Sequence, residues 1–272
     1  MTAPLFHLRP GALDRAAPGE RIVLDGEEGH HAATVMRLQP GEEVTLSDTR
    51  AVRLEGVVLE ARPGALVVEV RHIAREPHEV PKLVLVQALA KDRRDLQAVE
   101  SATELGVDVV IPWQSERSVA RWKAGRESKK HAEWLNTVRT AAKQTRRTVV
   151  PEVHQLHTTA QYCRRISQMS ADAAASVAVV VLHETSGDSL SSVLARLEAP
   201  SCEELHLVVG PEGGISPAEL ERLTASNGAS ARLGPTVLRS STAGVAAVTA
   251  AQVMLGRWET GVQDGPGGSA VD

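Results

Sequence analysis

Glu212 stands in the middle of Gly210-Pro211-Glu212-Gly213-Gly214, between an apolar run ending at Val209 and a helix start, Ser216-Pro217-Ala218-Glu219. Gly213 and Gly214 permit positive φ and put no Cβ between the backbone and its neighbour. A capping serine, proline at the first helical position and glutamate three residues after the cap make a strong helix start. Its free N–H groups and the positive end of its dipole suit a carboxylate or phosphate. The device then recurs: Ala231-Arg232-Leu233 reads as a brief strand, Gly234-Pro235 breaks it, and Ser240, Ser241 and Thr242 can each cap the following helix. Arg239 is the charged group at the mouth of this second loop. A third strand, Val177–Leu182, ends in His183-Glu184. These strand ends are expected to meet on one edge and line one crevice, a ligand cradle carrying a carboxylate and a guanidinium. A lone Gly-Pro-Glu-Gly-Gly turn can equally be a tight strand-to-helix connection. The pattern is neither G-x-G-x-x-G nor a P-loop, so neither dinucleotide nor nucleoside-triphosphate binding is indicated.

The elements that must position these residues alternate. From Lys82 the chain reads as strand (82–90), helix (Asp92 to Leu105, closed by Gly106) and strand (107–113), a βαβ unit with a parallel sheet. Its turn Lys91-Asp92-Arg93-Arg94 falls at the carboxyl end of a strand, where open α/β sheets place ligands. Helices are expected at roughly 128–145, 158–169, 189–197 and 242–255. The last is apolar almost all round, hence buried, and shorter than the roughly 20 residues needed to span a bilayer. Residues 1–73 read differently: short β-rich runs at 21–25, 42–48, 51–61 and 65–73, with one helix near 28–38 carrying His30, His31 and Arg37. A compact barrel with one helix is the economical fold. Prolines and charges without periodicity make 74–81 a linker, and 259–272 reads as a polar, disordered tail.

Composition excludes several classes. Two cysteines, Cys163 and Cys202, give no disulfide framework and match no zinc or redox spacing. His30-His31 and His154-x-x-His157 lack partner ligands, so no metal is expected. The N-terminal residues lack the apolar core of a signal peptide, which points to the cytoplasm. Aromatic residues are only 2% of the chain, so base stacking on the barrel strands is not expected. The net charge of −4 conceals a basic stretch: from Arg117 to Arg147 there are ten Lys or Arg against two Glu. Local patches set the field that a phosphate backbone meets. On the helix there, Trp134, Val138, Ala141 and Ala142 form an apolar face, and Arg139, Lys143, Arg146 and Arg147 an adjoining basic flank. Candidate RNA contacts are therefore Arg37, Arg93, Arg94, Arg117, Arg139, Lys143, Arg146 and Arg147, with a merely solvated face as the alternative.

GPEGGISPAEL followed by LGPTVLRSSTAGVAAVTAAQVMLG resembles the signature of the RsmE family, 16S rRNA uridine N3-methyltransferases of the SPOUT class. HHAATVMRLQPGEEVTLSD, SATELGV, SERSV and AAKQTRRTVVPEV match in the same order, so the resemblance covers nearly the whole chain. It implies a PUA-like barrel (1–73), a SPOUT α/β domain with a trefoil knot (82–258), a homodimer, and S-adenosylmethionine as methyl donor. The implied target is a uridine near the 3′ end of 16S rRNA, in the decoding region, with the small ribosomal subunit as partner. The implied cofactor site is Leu182, His183, Gly210, Pro211, Glu212, Gly213, Gly214, Leu233, Gly234, Leu238, Arg239, Ser240 and Thr242. Arg239 and Glu212 are the catalytic candidates, although Glu212 can equally bond loop amides. One departure stands out: many members read Leu-Arg-Thr-Glu-Thr-Ala where this chain reads Leu238-Arg239-Ser240-Ser241-Thr242-Ala243. Ser241 can cap a helix but cannot take a proton at neutral pH. Methylation of another RNA position or of a ribose 2′-OH, or an RNA-binding assembly factor that does no chemistry, are the alternative readings.

Overall fold

The structure, a computed structural model, describes residues 3–77, 79–171, 176–196, 202–225 and 228–259. The expected tail, apart from Glu259, lies outside the described residues. The chain divides into two compact units: residues 1–79 with 138–151, and 80–137 with 152–272.

The first unit is built on five strands, β1 (Leu5–His7), β2 (Arg21–Leu24), β3 (Glu43–Ser47), β4 (Val52–Arg62) and β5 (Ala65–Arg75), in the order β1-β3-β4-β5-β2. Between β2 and β3 lies α1 (Gly26–His30), which widens into a π-helical turn over His31–Val35. Alternation along β4 turns Val52, Leu54 and Val58 inward, where they join Phe6, Leu24, Leu46, Leu66 and Val68 in one core. The expected linker begins late, because Ala74 and Arg75 still belong to β5. The segment 138–151 also counts with this unit, a membership that the sequence does not announce. It is tied in by Ser47 Oγ donating to the Thr148 carbonyl and Lys143 Nζ held 2.8 Å from both Glu28 carboxylate oxygens.

The second unit is a three-layer α/β domain. Its sheet runs β12-β10-β11-β6-β7-β8, with β9 also on β7, and every pair is parallel. The strands are β6 (Lys82–Ala88), β7 (Val109–Gln114), β8 (Glu152–Val153), β9 (His157–Thr158), β10 (Val177–Leu182), β11 (Glu204–Val209) and β12 (Gly228–Ala231). The central strands are near-continuous apolar runs because both faces are covered. Val84, Val86 and Ala88 meet α4 (Thr159–Ala171) and α6 (Pro217–Thr224) on one face. On the other, α7 (Ser240–Met254) lies against β6 and β11 and against α2 (Arg94–Glu104) and α5 (Leu190–Arg196). The remaining helix, α3, spans Glu127–Gln144.

Two expectations shift. The brief strand placed at 231–233 is β12, Gly228–Ala231, because the Arg232 amide and carbonyl turn instead to Asp188 and Leu190. Ser240 and Ser241 lie inside α7 rather than capping it. Arg239 takes the N-cap position without a side-chain hydrogen bond, and its carbonyl accepts from Thr242 N and Ala243 N at 2.8 and 2.9 Å.

Candidate active site

Register brings the cradle together. Leu182 pairs with both Val209 and Ala231, so β10, β11 and β12 end level. The segments that leave them, from His183, Gly210 and Arg232, therefore start from one edge of the sheet. His183 N donates to the Ala231 carbonyl (2.9 Å), and its Nδ1 lies 2.9 Å from Thr185 Oγ1. The Gly210–Gly214 turn closes through Gly214 N to Pro211 O at 2.9 Å, with Gly214 at φ +72°. A Cβ on Gly213 would lie 3.0 Å from the Arg117 carbonyl oxygen, so glycine there lets two loops touch.

Glu212 is engaged within this edge. Its Oε1 accepts from Lys91 N at 3.3 Å and lies 3.6 Å from Arg94 Nη1. The Lys91–Arg94 turn that meets it holds two successive non-glycine residues, Asp92 and Arg93, at φ +56° and +58°, a left-handed pair at about 1–2 kcal/mol each. Asp95, buried behind the turn, is pushed up by burial and held partly in check by the Leu96 and Ala90 amides. Arg117 Nη1 donates to the Gly213 carbonyl at 3.4 Å. Of the basic candidates in this unit, Arg94 and Arg117 thus brace the glycine turn, and Arg93 is exposed.

Beneath the turn lies a buried carboxylate. Ser216 caps α6 as expected, its Oγ accepting from Glu219 N at 3.1 Å. The Glu219 side chain does not reach back to the cap. It is fully buried and accepts from Ser115 Oγ and Glu116 N, both at 2.9 Å, and from Thr159 Oγ1. Thr159 Oγ1 in turn accepts from Trp113 Nε1 at 3.1 Å.

The second loop is different in kind. Leu233, Gly234, Thr236, Val237 and Leu238 make no main-chain hydrogen bond within the described residues, and Val237 and Leu238 are exposed. Arg239 is exposed next to this row of free donors and acceptors. Ser240 Oγ accepts from Gln87 Nε2 at 2.8 Å, while the buried Gln87 Oε1 has no partner. Ser241 is buried in the first turn of α7, and Thr242 is exposed.

The first unit holds Arg37, Arg139, Lys143, Arg146 and Arg147. Lys143 is not a free cation: besides Glu28 it lies 3.3 Å from His31 Nδ1 and 5.4 Å from the Phe6 ring centroid. Arg37, Arg139 and Arg146 are exposed. Sequence reasoning missed Gln87, Ser115 and Thr159. For Gln87 the signal was present, one amide in the apolar run Leu83–Leu89.

Comparison with known proteins agrees with this geometry. An RNA methyltransferase domain family matches residues 76–252, and an RNA methyltransferase PUA domain family matches 24–74. Ribosomal RNA small subunit methyltransferase E of Mycobacterium bovis is 40% identical over 246 residues, 90% of this chain and 91% of that one. Its Bacillus subtilis counterpart is 31% identical over 84% of this chain and 88% of its own. A Legionella pneumophila chain solved with its cofactor S-adenosylmethionine bound is 25% identical, with a TM-score of 0.75 over 93% of this chain and 98% of that one. With the methyltransferase domain matched across the second unit, a PUA domain across most of the first, and this identity over nine-tenths of both chains, the chain belongs to the RsmE family of ribosomal RNA small subunit methyltransferases.

Proposed function

We propose that this chain methylates N3 of a uridine near the 3′ end of 16S rRNA, using S-adenosylmethionine. The observation that carries the reading is the level ending of β10, β11 and β12, from which the segments beginning at His183, Gly210 and Arg232 leave one edge of the sheet. The residues fit the cofactor: glycines keep the first loop thin, and the second offers unpaired main-chain donors and acceptors that can read an adenine or ribose. Leu182, His183, Gly210–Gly214, Leu233, Gly234, Leu238, Ser240 and Thr242 would hold it. When bound, it supplies an electrophilic methyl group on a sulfonium.

N3 lies on the Watson–Crick edge of uracil, so the target base must be unpaired or turned out of its helix. Its ring proton leaves as the methyl arrives, and negative charge spreads onto the flanking carbonyls. Arg239, exposed and held by the first turn of α7, is the group that stabilises this charge, an oxyanion-type role. Glu212, already engaged by Lys91 and Arg94, positions the glycine turn.

Arg37, Arg139, Arg146 and Arg147 in the first unit and Arg93 in the second supply cationic contacts for the RNA backbone. The return of α7 from edge strand β12 to the sheet centre supports the knot of the SPOUT class. Exposed Val253, Met254 and Trp258 support a homodimer. Among the described residues no helix is long and apolar enough to cross a membrane, which agrees with a cytoplasmic site of action. The test is methyl transfer onto 16S rRNA and small subunits from cells lacking the protein, with the product nucleotide mapped by mass spectrometry. N3-methyluridine is expected. A 2′-O-methyl product would overturn the reading.

A further inference from the structure

Beyond the cradle, the second unit contains a cavity of about 430 Å³ where β7 and β9 end, within the roughly 300–1,000 Å³ range of small-molecule sites. Trp122 lines it together with Arg121, Gln114, Glu127, Gln155 and Gln161. The chain has only six Phe, Trp and Tyr residues. Phe6, Trp113, Trp134 and Tyr162 are buried, which leaves Trp122 and Trp258 with accessible rings. Trp122 is half-buried, its ring braced by the buried Trp134 at 6.1 Å between centroids and 74° between planes. A ring held in this way is a stacking surface that needs little ordering.

Around it, hydrogen-bonding groups remain open. Gln161 Oε1 accepts from Thr158 N and Oγ1 at 2.8 and 2.9 Å, which leaves its Nε2 to donate. Gln114 Nε2 donates to the Ser115 and Ala120 carbonyls at a long 3.4 Å, which leaves its Oε1 to accept. Glu127 adds an anionic acceptor for a base N–H, and the exposed Arg121 adds a cation for a phosphate. An aromatic ring, amides of both senses and one guanidinium are the chemistry that recognises an unstacked nucleotide.

The cavity is not the cradle. From β11 the sheet passes through β6 and β7 to β9, so the two lie about 15 Å apart at three strand spacings of about 4.8 Å. One base cannot occupy both, but two nucleotides of one strand can. Ser115 connects them, since Gln114 precedes it and its hydroxyl bonds Glu219 beneath the glycine turn.

We infer that this cavity binds a second, unpaired nucleotide of the RNA strand whose uridine enters the cradle, and so contributes to site selection. The inference rests on the RNA methyl-transfer reading above. Its test is steady-state methylation of 16S rRNA by the full chain carrying Trp122→Ala, Trp122→Phe, or Arg121→Ala with Gln155→Ala. S-adenosylmethionine affinity is measured alongside as the check on folding. Trp122→Ala should raise the KM for RNA about tenfold with kcat and cofactor affinity nearly unchanged. Trp122→Phe should recover most of that loss, and the double variant should show a smaller rise. Should Trp122→Ala fail to fold, the double variant, which alters only exposed side chains, decides. An unchanged KM in the folded variants while the wild type methylates normally overturns the pocket and leaves the methyltransferase reading intact. A change in sedimentation with RNA affinity unaltered would show a protein interface instead and also overturns it. Absence of methyl transfer by the wild type would overturn the parent reading and this one together.

Discussion

Ser115 and Glu219 are 104 residues apart in the chain, yet the serine hydroxyl donates to the buried carboxylate at 2.9 Å. The contact joins the loop after β7 to the first turn of α6, the helix that anchors the glycine turn. A residue whose sequence role is to complete a helix cap is in the structure the acceptor that ties two site loops together.

Glu219→Ala should therefore cost about 3 kcal/mol, because Ser115, Glu116 and Thr159 would each lose their acceptor in a buried setting. Denaturant unfolding measures the loss, and calorimetry should show weaker S-adenosylmethionine binding as the turn loosens. Glu219→Gln, which keeps one acceptor oxygen, should fall between.

Two glycines near the second loop should respond unequally to alanine. A Cβ on Gly244 would lie 2.9 Å from Leu85 Cδ1 and 3.3 Å from Gln87 Oε1, whereas one on Gly234 meets nothing within 4 Å. Gly244→Ala should destabilise by about 1–3 kcal/mol as α7 is pushed from β6. Gly234→Ala should stay within about 0.5 kcal/mol. Equal thermal midpoints for the two would contradict the close approach.

Arg239→Ala should lower kcat by about 10²–10³ if its guanidinium carries the charge that develops on the base, with S-adenosylmethionine affinity unchanged. Methyl transfer at the wild-type rate would remove Arg239 from the mechanism.

Lys143 and Arg139, one helical turn apart, should separate by function. Arg139→Ala should weaken RNA binding and reduce the salt slope by about one. Lys143→Ala should leave that slope unchanged and lower stability modestly, since it strips Glu28 of its partner. Filter binding across a salt series reads both.

Stability should fall on mild acidification. Burial holds His7, His154 and His206 below the ordinary histidine range. Below pH about 6.5 the unfolded chain takes up protons that the folded chain refuses, so stability present at neutral pH is lost toward the folded values. Glu204, held down by its hydrogen bond from His206, acts in the same direction at lower pH. Thermal midpoints from pH 7.5 to 5.5 should decline, and His206→Gln should flatten the curve.

Most of the second unit was legible because its signals are local. Val177–Leu182 forms the expected strand, and Ser216-Pro217 starts α6 where the cap residues place it. What escaped depends on distant partners. Ser240 looks like a cap in sequence, but Gln87, 153 residues away, takes its hydroxyl. Lys143 reads as one more cation on a basic flank until Glu28 and His31 come to meet it. β1, β8 and β9 are two or three residues long, too short for alternation to register. Trp122 is inconspicuous in sequence, because the scarcity of aromatics bears only on stacking at the first unit's strands.

The membership of residues 138–151 in the first unit also sets an order of events during synthesis. That unit begins the chain but lacks part of its packing until residue 151 has left the ribosome, roughly 70 residues after Glu79. At about 5–20 residues per second this is a wait of roughly 4–15 seconds. In that interval β6, α2 and β7 emerge, so the opening strands and helix of the second unit are made while the first is still incomplete.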